Sequence, residues 1–306
     1  MEEGMREGGY AGVVFALLAA IGFSAKAILV KLAYQYRVDT ITLLALRMSF
    51  AMPFFVAVLF WVRRKSIDPL ALKDKLLVLG VGLTGYYLSS LFDFLGLQYI
   101  TAGLERLILF LYPTMTVVLA ALLYKRPIGK KVLAAMALSY LGIALVFLHD
   151  AGGRQGESTL LGAMLVFAST LSYSIYLVGA GHAIARLGVE RFTSMAMIVA
   201  GIACLLQFAL THSLGSLVLP FRVYEYSVAM ALFSTVLPVF LLSYAIRHIG
   251  SSRASLIGSI GPVSTIYLAY LFLGEQVTPL QVAGAFLVMC GVMIVSLTRN
   301  QAGAVK

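Results

Sequence analysis

Ten long apolar runs, separated by gaps too short to hold a domain, decide what this 306-residue chain can become. A bilayer core takes about 20 apolar residues per helix. Runs of that length fall at roughly 10–33, 41–62, 76–97, 102–124, 131–148, 159–181, 192–212, 226–246, 251–273 and 279–298. Composition points the same way. The chain is 61% apolar and only 12% charged, whereas a soluble domain carries about 25% charged residues. A soluble enzyme, a nucleic-acid binder and a disordered protein are poor fits. The net charge of +10 does not change this, because the basic residues sit in short clusters between apolar runs and not on one folded face. The expected fold is an all-α polytopic membrane protein with ten transmembrane helices.

Lys and Arg in the gaps set the orientation, since cytoplasmic loops collect them. With both termini cytoplasmic, 16 of the 23 basic residues lie inside. Only Arg37, Arg154 and Arg222 lie outside; Lys26, Lys31, Arg47 and Arg106 fall within or at the ends of spans. The localisation expected is the inner membrane, multi-pass. Residues 1–9 carry three Glu and one Arg, the wrong sign for a signal peptide, so the run after them is read as the first span.

The chain repeats itself. Shifted by 149 residues, 100–146 falls on 249–295 with twelve of 47 positions identical, among them Pro113 with Pro262 and Gly142 with Gly291. A shift of 150 aligns Gly12 with Gly162 and Ser24 with Ser174. The chain therefore reads as two five-helix repeats, 1–150 and 151–306. Five is odd, so the second half enters the membrane inverted. The charges follow: the gap holding Lys125, Arg126, Lys130 and Lys131 is basic, and its equivalent carries Glu275 and no Lys or Arg. Inverted repeats are a recurring plan of secondary transporters, with the substrate site near the midplane.

Two segments carry a family resemblance: 102–124 (AGLERLILFLYPTMTVVLAALLY) and 251–275 (SSRASLIGSIGPVSTIYLAYLFLGE), each with a small-residue start and a mid-helix Pro. With the LRMSFA stretch around Arg47 and the Gly274–Glu275 pair, the chain resembles the drug/metabolite transporter superfamily, EamA-type, over nearly its whole length. Within it the chain looks most like YddG-type exporters of amino acids. The first half has Lys125 and Arg126 where the family motif ends in Gly-Glu. The resemblance implies ten helices in two halves and transport of small metabolites.

Unsatisfied polar groups are expensive in hydrocarbon, so polar stripes should face a cavity or a neighbouring helix. The candidate substrate-contacting residues are Tyr86, Tyr87, Ser90, Tyr112, Ser172, Tyr173, Tyr176, Thr235, Tyr244, Ser255 and Ser259. For any single serine helix packing is the simpler explanation; for the set of stripes a shared cavity is. Pro113, Pro238 and Pro262 sit inside spans, where each removes one backbone donor and frees a carbonyl for ligand contact or bending. Charges within spans are functional candidates. Lys26, Arg47, Asp93 and Glu105 are deep and are expected to pair, either as a fixed brace or as an outer gate. Lys31 and Arg106 are near enough to span ends to snorkel.

Helices five to ten hold no mid-membrane carboxylate, His149, His182, His212 and His248 lie at or near span ends, and Cys204 and Cys290 lie apart in apolar runs. No metal or other cofactor is expected, and no catalytic cluster is visible. The function read from the sequence is a secondary transporter exporting small neutral or zwitterionic metabolites, in particular amino acids, by alternating access. Its partners are that substrate and membrane lipid, with no nucleic acid. The alternatives are a drug or apolar-metabolite exporter of the same superfamily, a channel, and an intramembrane lipid-modifying enzyme, for which no acid, nucleophile or metal set is found.

Overall fold

The computed structural model describes residues 2–63, 70–125, 127–151 and 156–303. Every regular element among them is helical. In chain order these are α1 (Glu2–Tyr34), α2 (Thr40–Arg63), α3 (Leu72–Gly82), α4 (Ser89–Gly96), α5 (Ala102–Leu109), α6 (Tyr112–Leu123), α7 (Lys130–Ala151), α8 (Gly156–Leu187), α9 (Val189–Thr211), α10 (Phe221–Ala231), α11 (Leu237–Gly258), α12 (Gly261–Leu273) and α13 (Pro279–Gly303). Eight helical segments are long and apolar enough to cross a membrane, and two shorter apolar helices, Gly261–Leu273 and Pro279–Val295, follow them. Large apolar side chains such as Leu122, Leu160, Met164, Phe272 and Phe286 stand on the outside. A contiguous apolar exterior of that kind suits lipid and not water.

Several spans are interrupted, and the cause is local. Pro113 and Pro262 each stand at the start of a new helix, α6 and α12. Proline has no N–H to extend a helix but fits its first turn. The fourth apolar run is therefore two helices broken at Phe110–Leu111, not one. Pro238 follows a π-helical stretch, Leu232–Val236, and the same distortion recurs without proline at Leu83–Leu88. Residues 83 and 232 are 149 apart, the sequence offset of the repeat. A π-turn leaves backbone groups imperfectly paired and often marks a functional position.

Helical hydrogen bonding continues through α11, yet its course must double back. Gly12 packs against Ile249, while Ser24 bonds the Gly261 carbonyl. On α1 those two positions are about 18 Å apart at 1.5 Å per residue. Phe233 faces Gly22 and Ile249 faces Gly12, so this part of the chain runs antiparallel to α1. To reach Ser24 by Gly261 it has to return.

Contacts recur in reciprocal pairs. Gly12 meets Ile249, and Gly162 meets Ile100. Gly142 lies against the Gly284 carbonyl and Gly291 against the Ala135 carbonyl, so that α7 and α13 touch backbone to backbone. A side chain at Gly142 would stand 2.6 Å from that carbonyl, which only glycine avoids. In each case adding 149 or 150 to one partner gives the partner of its counterpart.

Packing divides the helices into two groups. Helix α1 packs on α10, α11 and α12, and α2 on α10; α8 packs on α3 to α6, and α9 on α3. The groups, α1–α2–α10–α11–α12 and α3–α4–α5–α6–α8–α9, meet along α5 with α12, α1 with α5, α2 with α4 and, over one of the most extensive helix contacts in the molecule, α2 with α9. Each group takes helices from both sequence halves. The α7–α13 pair stands beside them.

Candidate functional site

At the face where α1 ends, charged residues from the two groups converge. Lys26 of α1 places its Nζ 2.6 Å from Asp93 Oδ2 on α4 and 3.1 Å from Glu105 Oε1 on α5. The carboxylates are almost wholly buried, with side-chain exposure of 3% and 0%. Glu105 is in the first turn of α5, where the helix dipole favours a negative charge. Thr101 caps that helix by accepting from the Leu104 N–H. Arg47 of α2, buried, donates from Nη2 to Ser90 Oγ at 2.9 Å and lies 4.8 Å from the Phe94 ring centre. That combination of hydrogen bond and cation–π contact offsets part of its desolvation.

Neutral and ionic contacts continue outward along the same seam. Tyr34 donates to the Phe94 carbonyl at 2.8 Å, and Gln98 donates to Thr40 Oγ1 at 2.6 Å. Glu275, just past α12, lies 3.7 Å from Lys31 and accepts from the Ala102 N–H at 3.1 Å. All of these except the Lys31–Glu275 contact join the first group to the second. The residues 149 or 150 positions on from Lys26, Asp93 and Glu105 are Tyr176, Leu242 and Ala254, none of them charged.

The predicted tyrosines divide. Tyr86 and Tyr176 share a hydrogen bond of 3.0 Å with rings 5.0 Å apart. Tyr173 stacks on Tyr176 at 5.4 Å, and Tyr112 meets Tyr173 edge-on at 5.6 Å. These four form one cluster on α6, α8 and the π-helical stretch, floored by Phe192. Their hydroxyls give it a polar side and their rings an apolar one. Tyr87 packs separately against the core around α2 and α9. Tyr244 lies apart, 47% exposed, against Phe15 and His248.

The hydroxyl residues also have different partners. Ser172 donates to the Thr84 carbonyl at 2.7 Å, inside the first π-helical stretch, and Thr235, inside the second, donates to the Met230 carbonyl of α10 at 3.0 Å. Ser90 serves Arg47. Ser259 is half-buried at the break before α12. The side chain of Ser255 lies outside the described residues.

Arg106 differs from the snorkelling expected of it. Its guanidinium lies against Gly261 at the head of α12, close enough that a side chain there would collide with it. Depth in a span, which is all the sequence gives, does not say which way a long side chain turns. Among the described residues no group of three His, Cys, Asp or Glu is arranged to hold a metal ion.

The sequence profile of the EamA-like transporter family matches the chain twice, over residues 10–148 and 160–297. The chain is 30% identical to the uncharacterized transporter YcbK of Bacillus subtilis over 291 residues, covering 92% of both chains. It is 25% identical to the uncharacterized transporter YetK of the same organism, covering 96% of this chain and 89% of that one. An uncharacterized transporter of Archaeoglobus fulgidus is 25% identical over 83% of this chain and 88% of that one. One crystal structure of a protein superposes with a TM-score of 0.64 at 18% identity, covering 94% and 96% of the two chains, which speaks to fold. With its profile matched across both halves, the chain belongs to the EamA-like transporter family.

Proposed function

We propose that this transporter is an alternating-access carrier that exports small zwitterionic metabolites, amino acids first among them, across the inner membrane, and that it is not an enzyme. The observation that carries the reading is the seam between the two helix groups. It is closed at one face by Lys26, Asp93 and Glu105, and the counterpart positions at the other face lack charge. Two groups that meet through breakable polar contacts at one end are built to rock. The Tyr86–Tyr112–Tyr173–Tyr176 cluster below that closure offers hydroxyls and aromatic faces. An amphipathic zwitterion fits such a lining better than an ion needing a full counter-charge.

The same reading takes the protein as ten spans in two inverted five-helix halves, 1–150 and 151–306, with both termini cytoplasmic. The reciprocal contacts, the paired π-helical stretches and the double profile match support it. The kinship to YddG-type exporters rests on general similarity of sequence. Purified protein in proteoliposomes loaded with unlabelled amino acid should take up the labelled one by saturable counterflow. Counterflow of apolar amines or dyes in its place would make the protein a drug exporter, and non-saturable flux would make it a channel.

A further inference from the structure

A charge inside a span is costly unless another charge compensates it, and the charges within these spans do not cancel. Lys31 lies 3.7 Å from Glu275. That leaves three cations, Lys26, Arg47 and Arg106, against two carboxylates, Asp93 and Glu105. Lys26 engages both carboxylates, at 2.6 and 3.1 Å. Arg47 has an orphaned Nε, but its Nη2 bonds Ser90 and its guanidinium lies over the Phe94 ring. Arg106 is the cation left over. Among the described residues it forms no ion pair, and its Nε is buried with no hydrogen-bond acceptor.

Its position adds to the imbalance. The guanidinium lies against Gly261, the first residue of α12, and a Cβ there would stand 2.5 Å from Nη2. The start of a helix carries unpaired N–H groups and the positive end of the dipole. A cation set against that end is repelled, unless an anion is held between the two. The place can be reached. Helix α5 packs on α1, α8 and α12, yet Arg106 keeps partial exposure, as do Tyr112 and Tyr173 of the tyrosine cluster. That cluster is one helical turn away. Phe110 donates its N–H to the Arg106 carbonyl at 3.0 Å, and its ring meets that of Tyr112 edge-on at 6.2 Å.

We propose that Arg106 and the first turn of α12 bind the carboxylate of the transported molecule, with the rest of that molecule lying along Tyr112 and Tyr173. The carboxylate supplies the missing third anion. It accepts from the fork of guanidinium N–H groups, a geometry that suits its two oxygens. An ammonium on the same molecule has tyrosine faces and hydroxyls to meet. The inference rests on the carrier reading above and narrows it to substrates that carry a carboxylate.

Four probes with one side chain separate the contributions: phenylalanine, phenylpropionate (no amine), phenylalaninamide (no carboxylate) and phenethylamine (neither). The melting temperature of the purified protein in detergent is measured with each, at constant ionic strength and up to about 100 mM, where even a millimolar site stabilises visibly. Both acids should raise it, and the amide and the amine should not. Arg106→Gln should abolish the rise. Arg106→Lys keeps the charge but not the fork and should keep part of it. No rise with either acid, an equal rise with the amide, or a rise undiminished in Arg106→Gln overturns the proposal. Phenylpropionate is not an amino acid, and the measurement involves no transport. If it stabilises the parent protein but not Arg106→Gln while phenylalanine shows no counterflow, the carboxylate site stands and the amino-acid reading falls. Phenylalanine counterflow with no distinction between acid and amide does the reverse.

Discussion

Ser24 donates a hydrogen bond of 3.1 Å to the carbonyl of Gly261, a residue 237 positions further along the chain. Its counterpart, Ser174, donates to the Tyr112 carbonyl at 3.3 Å. The first bond ties α1 to α12 and the second ties α8 to α6. Each stays within one packing group and ends on a carbonyl in the first turn of a proline-started helix. Such bonds hold a group together while the groups move against each other.

That distinction is testable by cross-linking in a cysteine-free background, Cys204→Ala with Cys290→Ala. Pairs within a group, Gly12→Cys with Ile249→Cys and Gly162→Cys with Ile100→Cys, should cross-link and leave counterflow within about twofold of the uncross-linked rate. The pair Thr40→Cys with Gln98→Cys spans the seam. Cross-linking it should reduce counterflow to background, and reduction should restore it. Transport that survives the seam cross-link would place the moving boundary elsewhere.

Lys26 is the only cation that either buried carboxylate touches among the described residues. Removing one member of a buried ion pair costs about 3–5 kcal/mol, because a charge is left unpaired. Lys26→Met should therefore lower the melting temperature strongly. Lys26→Met with Asp93→Asn and Glu105→Gln removes every charge of the triad and should recover most of the loss. If the triple variant melts below the single one, the triad stabilises the fold by more than charge balance.

The α7–α13 contact depends on backbones meeting at Gly142 and Gly284. Gly142→Leu and Gly284→Leu should each destabilise by about 1–3 kcal/mol, the usual range for overpacking. The two changes meet at one point, so their effects should not add. Thermal denaturation of both single variants and the double variant in detergent checks this; strictly additive losses would mean the helices part elsewhere.

The predicted topology can be read from both sides of the membrane. Ser158→Cys in the cysteine-free background should react with an impermeant thiol reagent added outside intact cells. Lys130→Cys should react only after the membrane is opened. The reverse pattern would turn the protein over in the membrane.

How much of this was readable beforehand depends on the residue type. A charge in an apolar run is conspicuous, so Lys26, Arg47, Asp93 and Glu105 stand out in the sequence, and the structure brings Lys26, Asp93 and Glu105 into contact. Serine and threonine are ambiguous. Ser24, Ser234 and Thr170 all bond the carbonyl four residues back, which satisfies a hydroxyl with no cavity present. Periodicity cannot separate that use from ligand binding. The packing groups were also hidden, because reciprocal contacts exchange helices between halves and no local signal marks such an exchange. The direction of Arg106 depends on Gly261, far along the chain.

Tyr86 and Tyr176 provide the sharpest test of the tyrosine cluster. Their hydroxyls bond at 3.0 Å across α8 and the first π-helical stretch, and Tyr176 is nearly inaccessible. Both residues belong to the second packing group, so their bond is no part of the seam. Tyr86→Phe and Tyr176→Phe each delete one hydroxyl and keep the ring. A neutral hydrogen bond contributes about 0.5–1.5 kcal/mol, so each variant should lose about that much stability. The double variant should lose little more than either single one, because it leaves no orphaned hydroxyl. If the cluster only packs helices, counterflow will be unchanged in all three. If it contacts substrate, as proposed, the KM for amino-acid counterflow should rise severalfold in each variant while the maximal rate changes little, since the lost bond is to bound substrate and not to the moving seam. A change in maximal rate at constant KM would assign the cluster to the conformational step and remove it from the binding site.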